Sequence, residues 1–179
     1  LELEESLSGH HQHTLAGVMD HCGTAMGSRL LRRWIQRPLR DTSILMARYQ
    51  AVDAMLTAVD GLRDELRGIG DVERILARVA TQRCNARDLQ SLGRSLEALP
   101  AVKALTDNAY SRTVADLRQR IEDFGALADR LARALGDDLP PTITEGGIIR
   151  EGWSEELDEL RGLSRDAKDW IARYQASES

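Results

Sequence analysis

Apolar residues recur every three or four positions along almost the whole chain, and this spacing constrains the fold more than any other feature. A helix brings residues three and four apart onto one face, whereas a strand requires alternation by two. Leu45, Tyr49, Val52, Leu56 and Val59 keep the helical period, as do Val72, Ile75, Leu76 and Val79. Leu89, Leu92, Leu96 and Leu99 form another stripe. Val114, Leu117, Ile121 and Phe124 form the next, and Leu127, Leu131 and Leu135 continue it. No sustained strand alternation occurs. The expected fold class is therefore all-α, a multi-helix bundle.

Local chemistry sets where these helices start and stop. Thr14 opens a brief helix to about Asp20. Thr24 can cap a stronger one to Gln36, with Met26, Leu30, Leu31, Trp34 and Ile35 on one side. Pro38 disfavours helix at Arg37 and ends it. Asp41 and Asp71 can cap the next two; Gly61 weakens the first, and Gly68 and Gly70 stop it. A longer helix follows Asn85. Pro100 suits a first helical position, so a break is expected there.

Residues 137–152 change character, with Pro140, Pro141, three glycines and three isoleucines in DDLPPTITEGGIIREGW. This predicts two short extended pieces around Gly146-Gly147, a β-hairpin-like element. Ser154 can then cap a last helix. Its first turn is acidic (Glu155, Glu156, Asp158, Glu159), while Arg161, Arg165, Lys168 and Arg173 come later, a polarity that suits the helix dipole. Leu157, Leu160, Leu163, Ala167, Trp170, Ile171 and Tyr174 give it an apolar face. Residues 153–179 read as the start of a long C-terminal helix, roughly 35 Å at 1.5 Å per residue. The pattern begins without Met at Leu1 and is still in period at Ser179, so a piece of a longer protein is expected.

With 179 residues the chain suits one domain. Hydrophobic residues at 42% and charged residues at 30% fit a soluble globular body, and aromatics at 4% force an aliphatic core. The net charge of -5 argues against general binding to a phosphate backbone, so any DNA contact must be local. Cys22 and Cys84 are too isolated to imply a disulfide framework, and a reducing compartment is the simpler expectation. No apolar run approaches a membrane span and no signal peptide opens the chain.

The candidate sites are few. Arg29, Arg32, Arg33, Arg37 and Arg40 form the basic run, with no acid between them. They suit a contact with DNA phosphate or with an acidic neighbouring domain. A solvated face with local ion pairs, each worth under about 1 kcal/mol, or an interdomain contact, explains them more simply than DNA does. His10, His11, His13, His21 and Cys22 invite a metal reading, but they lack the paired spacing of a closed zinc site. Trp34, Trp153 and Trp170 could stack on bases; their helical spacing favours packing instead. The acids Glu155 to Glu159 and Asp137-Asp138 have no implied basic partner. No nucleophile–base set is present, so no catalytic, cofactor or metal residues are assigned and the chain itself is not expected to be an enzyme.

Four blocks carry a resemblance. Thr24, Met26, Gly27, Arg29, Leu30, Leu31, Trp34, Pro38, Leu39 and Asp41 form the first. Asp71, Glu73, Arg74, Ile75, Leu76, Ala77 and Arg78 form the second, and Arg87-Asp88-Leu89 the third. Gly146-Gly147-Ile148-Ile149, Gly152 and Glu155 to Arg161 form the fourth, and Leu1-Glu2-Leu3 looks like the lead-in. In this order they resemble the core domain of the MutS family of DNA mismatch-repair proteins. Ala25 and Ala86 stand where that pattern has Pro.

The resemblance implies a single core or lever domain fragment over 1–179. It would couple an ATPase domain to a DNA clamp, both outside this chain. The parent would bind mismatched duplex DNA in an ATP-dependent way, with ATP and Mg as its cofactors. It would be a homodimer in the bacterial cytoplasm, on the nucleoid when bound to DNA. This chain has neither the Walker A loop nor the Phe-x-Glu mismatch wedge of that family: Lys103 and Lys168 follow no glycine, and Phe124 precedes Gly125-Ala126. The alternative is a self-contained helical protein–protein interaction scaffold.

Overall fold

The computed structural model describes residues 3–5 and 10–177. Leu1 and Glu2, at the head of the family-like pattern, and Glu178 and Ser179, through which the last helix was expected to continue, lie outside the described residues. In chain order the α-helices are α1 (Leu15–Met19), α2 (Ala25–Gln36), α3 (Thr42–Met55), α4 (Val59–Arg67) and α5 (Val72–Ala80). They continue with α6 (Ala86–Leu105), α7 (Arg112–Gln119), α8 (Gly125–Ala134) and α9 (Glu155–Ser177). Single 3-10 turns occur at His11–His13, Leu56–Ala58 and Ile143–Glu145.

The starts obey side-chain capping. An orphan N–H in a first turn needs an acceptor, and a short polar side chain just ahead supplies one. Thr14 Oγ1 accepts from Gly17 N at 3.0 Å and Thr24 Oγ1 from Gly27 N at 3.0 Å. Asp41 Oδ1 accepts from Ser43 N at 2.8 Å, and Asp71 Oδ1 from Arg74 N at 3.2 Å. At α6, Asn85 and Asp88 cap each other's backbone reciprocally.

The longest helix of the body, α6, is its spine. Helices α4, α5 and α8 all pack on it, while α3 packs on α7. Close approach explains which residues stand at the crossings. A Cβ on Gly93 would sit 3.4 Å from Leu131 Cβ, so glycine there lets α8 lie against α6. A Cβ on Gly70 would collide with the Ser91 hydroxyl. The backbone between α4 and α5 instead reaches the spine and donates from Gly70 N to Ser95 Oγ at 2.9 Å. Ser95 is fully buried and passes its own proton to the Ser91 carbonyl at 2.7 Å. Ala86, Leu135 and Leu139 form a buried cluster with Leu89, Leu131 and Ile148 around it. The loop after α8 thus closes one end of the body.

Several expectations are corrected. The 137–152 segment is not a β-hairpin. It makes one isolated antiparallel bridge, Leu135 to Ile149, and no strand. Its glycines turn the chain with positive φ at Gly146, Gly147 and Gly152, and Pro140-Pro141 withholds the donors a ladder needs. Helix α6 runs through Pro100. That residue is exposed, on the outer side of the helix, where its ring removes only one donor from the ladder. The stripe from Val114 to Leu135 belongs to two helices separated at 120–124. The stripe from Leu45 to Val59 breaks at Leu56–Ala58, not at Gly61.

The packing of α3 also differs from its pattern. Tyr49, Val52 and Leu56 are 63%, 62% and 59% exposed, while Ala47, Ala51 and Ala54 turn partly inward. Small residues let α3 pack closely beside the partly inward Leu45 and Met55, while Ile44, Met46, Tyr49 and Val52 stay outside.

Ser95 offers a direct check. Ser95→Ala leaves the partly buried Gly70 N–H without its acceptor, a loss of about 1–3 kcal/mol. Urea unfolding will show a lower midpoint with an unchanged slope. An unchanged midpoint would mean that the spine is not held there.

Candidate functional site: the arginine face and the root of the long helix

The basic run divides once the fold is in place. Arg29 is held inside the domain. Its Nη1 and Nη2 donate to the two Asp71 carboxylate oxygens, each at 2.7 Å, and Nη2 also reaches Glu73 Oε2 at 2.6 Å. The planar guanidinium fork suits this two-point grip. Asp71 also caps α5, so one carboxylate both starts that helix and fastens α2 to it. Arg32, within α2, lies 3.9 Å from Asp20 at the end of α1. Arg33, Arg37 and Arg40 are exposed and make no ion pair among the described residues. Only these three remain as a free cationic edge.

Trp34 lies beneath Arg48 of α3, whose guanidinium carbon is 3.7 Å from the ring centroid. That cation–π contact ties α2 to α3. Trp170 stacks on Tyr174 one turn along α9, with centroids 5.6 Å apart. The described residues contain no group of three or more His, Cys, Asp or Glu arranged to hold a metal ion. Partial desolvation and the neighbouring Asp20 push the Cys22 thiol up, and desolvation and Asp88 do the same to Cys84. Neither is poised as a thiolate nucleophile.

The lysines do not fit a nucleotide-phosphate role. Lys103 donates to the Ile121 carbonyl at 2.9 Å, and Lys168 is exposed along α9. Neither follows a glycine in the chain, so neither occupies the position of a phosphate-loop lysine.

The second cluster was not foreseen from the sequence. It joins the spine to α9 through the loop at 135–152. Arg87 Nε of α6 donates to the Leu139 carbonyl at 2.9 Å, and Gln90 Nε2 reaches the Gly136 and Asp137 carbonyls at 3.3 and 3.2 Å. Arg150 donates from Nε to the Leu135 carbonyl at 3.1 Å and grips the Asp137 carboxylate with both terminal nitrogens. That grip holds the Asp137 carboxyl below its ordinary range. At the root of α9, Arg161 Nη2 donates to the Ile149 carbonyl at 2.9 Å. Asp158 Oδ2 accepts from Gly152 N at 2.7 Å. Arg150 carried a sequence signal, since a lone arginine between turn glycines has no helical face to occupy. Arg87, Gln90 and Arg161 carried none, because their carbonyl partners lie far off in the chain or in a loop without periodicity.

The Arg29–Asp71 pair generates a pH prediction. The hydrogen bond from Arg29 holds the Asp71 carboxyl at about 2, below its ordinary 3.8. A carboxyl depressed in the folded state stabilises above its unfolded value, and that contribution fades as pH falls through the folded one. Wild type is expected to lose stability between roughly pH 4 and 2 more steeply than Asp71→Asn, by urea unfolding across that range. Parallel profiles would mean that the pair is not formed in solution.

Comparison with known families agrees with this architecture. The family model for MutS domain III matches residues 1–178, effectively the whole chain. The chain belongs to the MutS domain III family, as the core domain of a MutS-family mismatch-repair protein.

Proposed function

We propose that this domain is a mechanical relay in its parent protein, coupling an ATPase domain to a clamp on DNA. The observation that carries the reading is α9. It spans Glu155–Ser177, and residues 163–171 and 173–176 are all exposed. A hydrogen-bonded helix of 23 residues reaches roughly 35 Å and is stiff along its axis. A rod rooted in a packed body moves with that body, and packed bodies switch between discrete arrangements.

In this reading the domain does no chemistry. ATP and Mg are held elsewhere in a parent that binds mismatched duplex DNA and works as a homodimer in the bacterial cytoplasm. Arg33, Arg37 and Arg40 would meet DNA phosphate or an acidic face of a neighbouring domain, with Arg32 beside them and Arg29 confined to its internal pair. No helix among the described residues is long and apolar enough to cross a membrane.

The exposed stripes favour a second reading. Tyr49 and Val52 on α3 and Leu56 just after it, with Leu163 and Trp170 on α9, would also suit a helical scaffold that binds another protein. Both readings require something to cover these faces. Only the relay requires α9 to be rigid.

Rigidity is therefore the test. Inserting Gly-Gly beside Ala167 in the full-length parent is expected to uncouple ATP turnover from mismatch binding. Coupling that survives the insertion eliminates the relay. The isolated chain should bind duplex DNA weakly, with affinity falling steeply from 50 to 200 mM salt. Reversing Arg33, Arg37 and Arg40 to Glu should remove that binding, and tight salt-insensitive binding would contradict the assignment. ATP hydrolysis by the isolated chain would restore an enzymatic reading.

A further inference from the structure

The root of α9 combines two features that belong together only in a hinge. The first is a pivot. Gly146, Gly147 and Gly152 have φ of 74°, 71° and 84°, a region closed to most side chains. Gly146 pairs its φ with ψ of -169°, which essentially only glycine adopts. A Cβ at any of the three would meet nothing within 4 Å, so crowding is not why glycine stands there. What these positions supply is backbone conformation, and Gly152 supplies it just ahead of the Ser154 cap of α9.

The second feature is a latch. The bridge between Leu135 and Ile149 is closed by Arg150 N donating to the Ala134 carbonyl and Gly136 N to the Ile148 carbonyl, both at 2.9 Å. In that antiparallel pattern the N–H and C=O of Ile149 itself point away from Leu135. The freed carbonyl accepts from Arg161 Nη2, one and a half turns into α9. Asp158, one turn earlier, takes the Gly152 N–H and lies 3.4 Å from Arg161 Nη1. The Arg161 side chain is about 30% exposed and that of Asp158 about 25%, so this pair is shielded relative to the solvated Arg165–Glu151 pair at 3.9 Å. Beyond Arg161 and its neighbour Gly162, the side chains at 163–171 and 173–176 of α9 are exposed.

We propose that the segment from Gly146 to Arg161 is a latched hinge, with Gly152 as pivot and the Arg161 hydrogen bond to the Ile149 carbonyl as the latch that sets the angle of α9. Arg161 is a positioning residue: it fixes the rod by holding one peptide group of the loop. Arg150 and Gln90 fix that loop to the body, so the latch gives the rod its stop. With the latch released, the glycines leave α9 free to swing. The hinge deepens the relay reading, which supplies a purpose for a fixed angle, yet it is tested in this chain without nucleotide or DNA.

The experiment measures the distance between nitroxide labels at Glu97→Cys on α6 and Lys168→Cys on α9, with Cys22→Ser and Cys84→Ser removing the native thiols. Pulsed dipolar spectroscopy is expected to give one narrow distance distribution. Arg161→Ala should widen it about twofold, as a released hinge requires, while Arg165→Ala leaves it unchanged. Gly152→Ala, which disfavours the pivot conformation, should displace its mean. Circular dichroism checks that each variant keeps its helices. The proposal is overturned if the unaltered root already gives a broad distribution, if Arg161→Ala keeps the narrow one, or if Arg165→Ala widens it equally. Failure here with loss of coupling on Gly-Gly insertion would remove the latch and leave the relay standing. A working latch with coupling intact after that insertion would do the reverse.

Discussion

The body depends on how closely other elements can approach α6. The core is short of aromatics and of large buried side chains: its buried apolar residues are Ala16, Ile75, Ala86, Leu92, Val114, Ala128, Leu135 and Leu139. An aliphatic core with no buried aromatic among the described residues depends on proximity, since dispersion falls steeply with any gap. Gly93 against Leu131 and Gly70 against Ser91 and Ser95 provide that proximity. The buried Ser95 hydroxyl, paired both ways, makes the polar part of the crossing affordable.

Around that spine the arginines serve mainly as clips between chain segments. Arg29 holds Asp71 and Glu73, Arg78 holds Asp88, Arg87 and Arg150 hold loop carbonyls, and Arg161 holds Ile149. Guanidinium suits the task because it is always charged and presents a fixed fork of donors, so it can satisfy carbonyls that no strand or helix serves. The net result is an acidic chain in which part of the basic complement is engaged by its own backbone and carboxylates. Of the basic run, Arg33, Arg37 and Arg40 make no ion pair among the described residues, and α3 and α9 keep exposed apolar side chains.

Most of the helical architecture was legible from residue order. The caps at Thr14, Thr24, Asp41, Asp71 and Asn85 act where a short polar side chain precedes an apolar period, because capping is local and needs only three or four neighbouring residues. The errors share a cause. Pro100 reads as a break only if its surroundings are unknown. The Leu45–Val59 stripe reads as core only if one assumes that the larger face is buried. The glycine-rich loop reads as a hairpin only if its carbonyls pair with each other instead of with distant arginines. Of the basic run, the sequence identified the residues but not which of them were already engaged.

The sequence alone determined the helical class, the starts of α1, α2, α3, α5, α6 and α9, the long terminal helix and, through four ordered blocks, the family. These follow from periodicity and capping, which act within a turn or two of chain. Tertiary structure alone decided that α6 is the spine, that α3 packs by its alanines, that Arg29 is committed to Asp71, and that Arg161 reaches Ile149. Those outcomes depend on which surfaces approach within a few ångströms after the chain has folded, and no spacing along the chain encodes that distance.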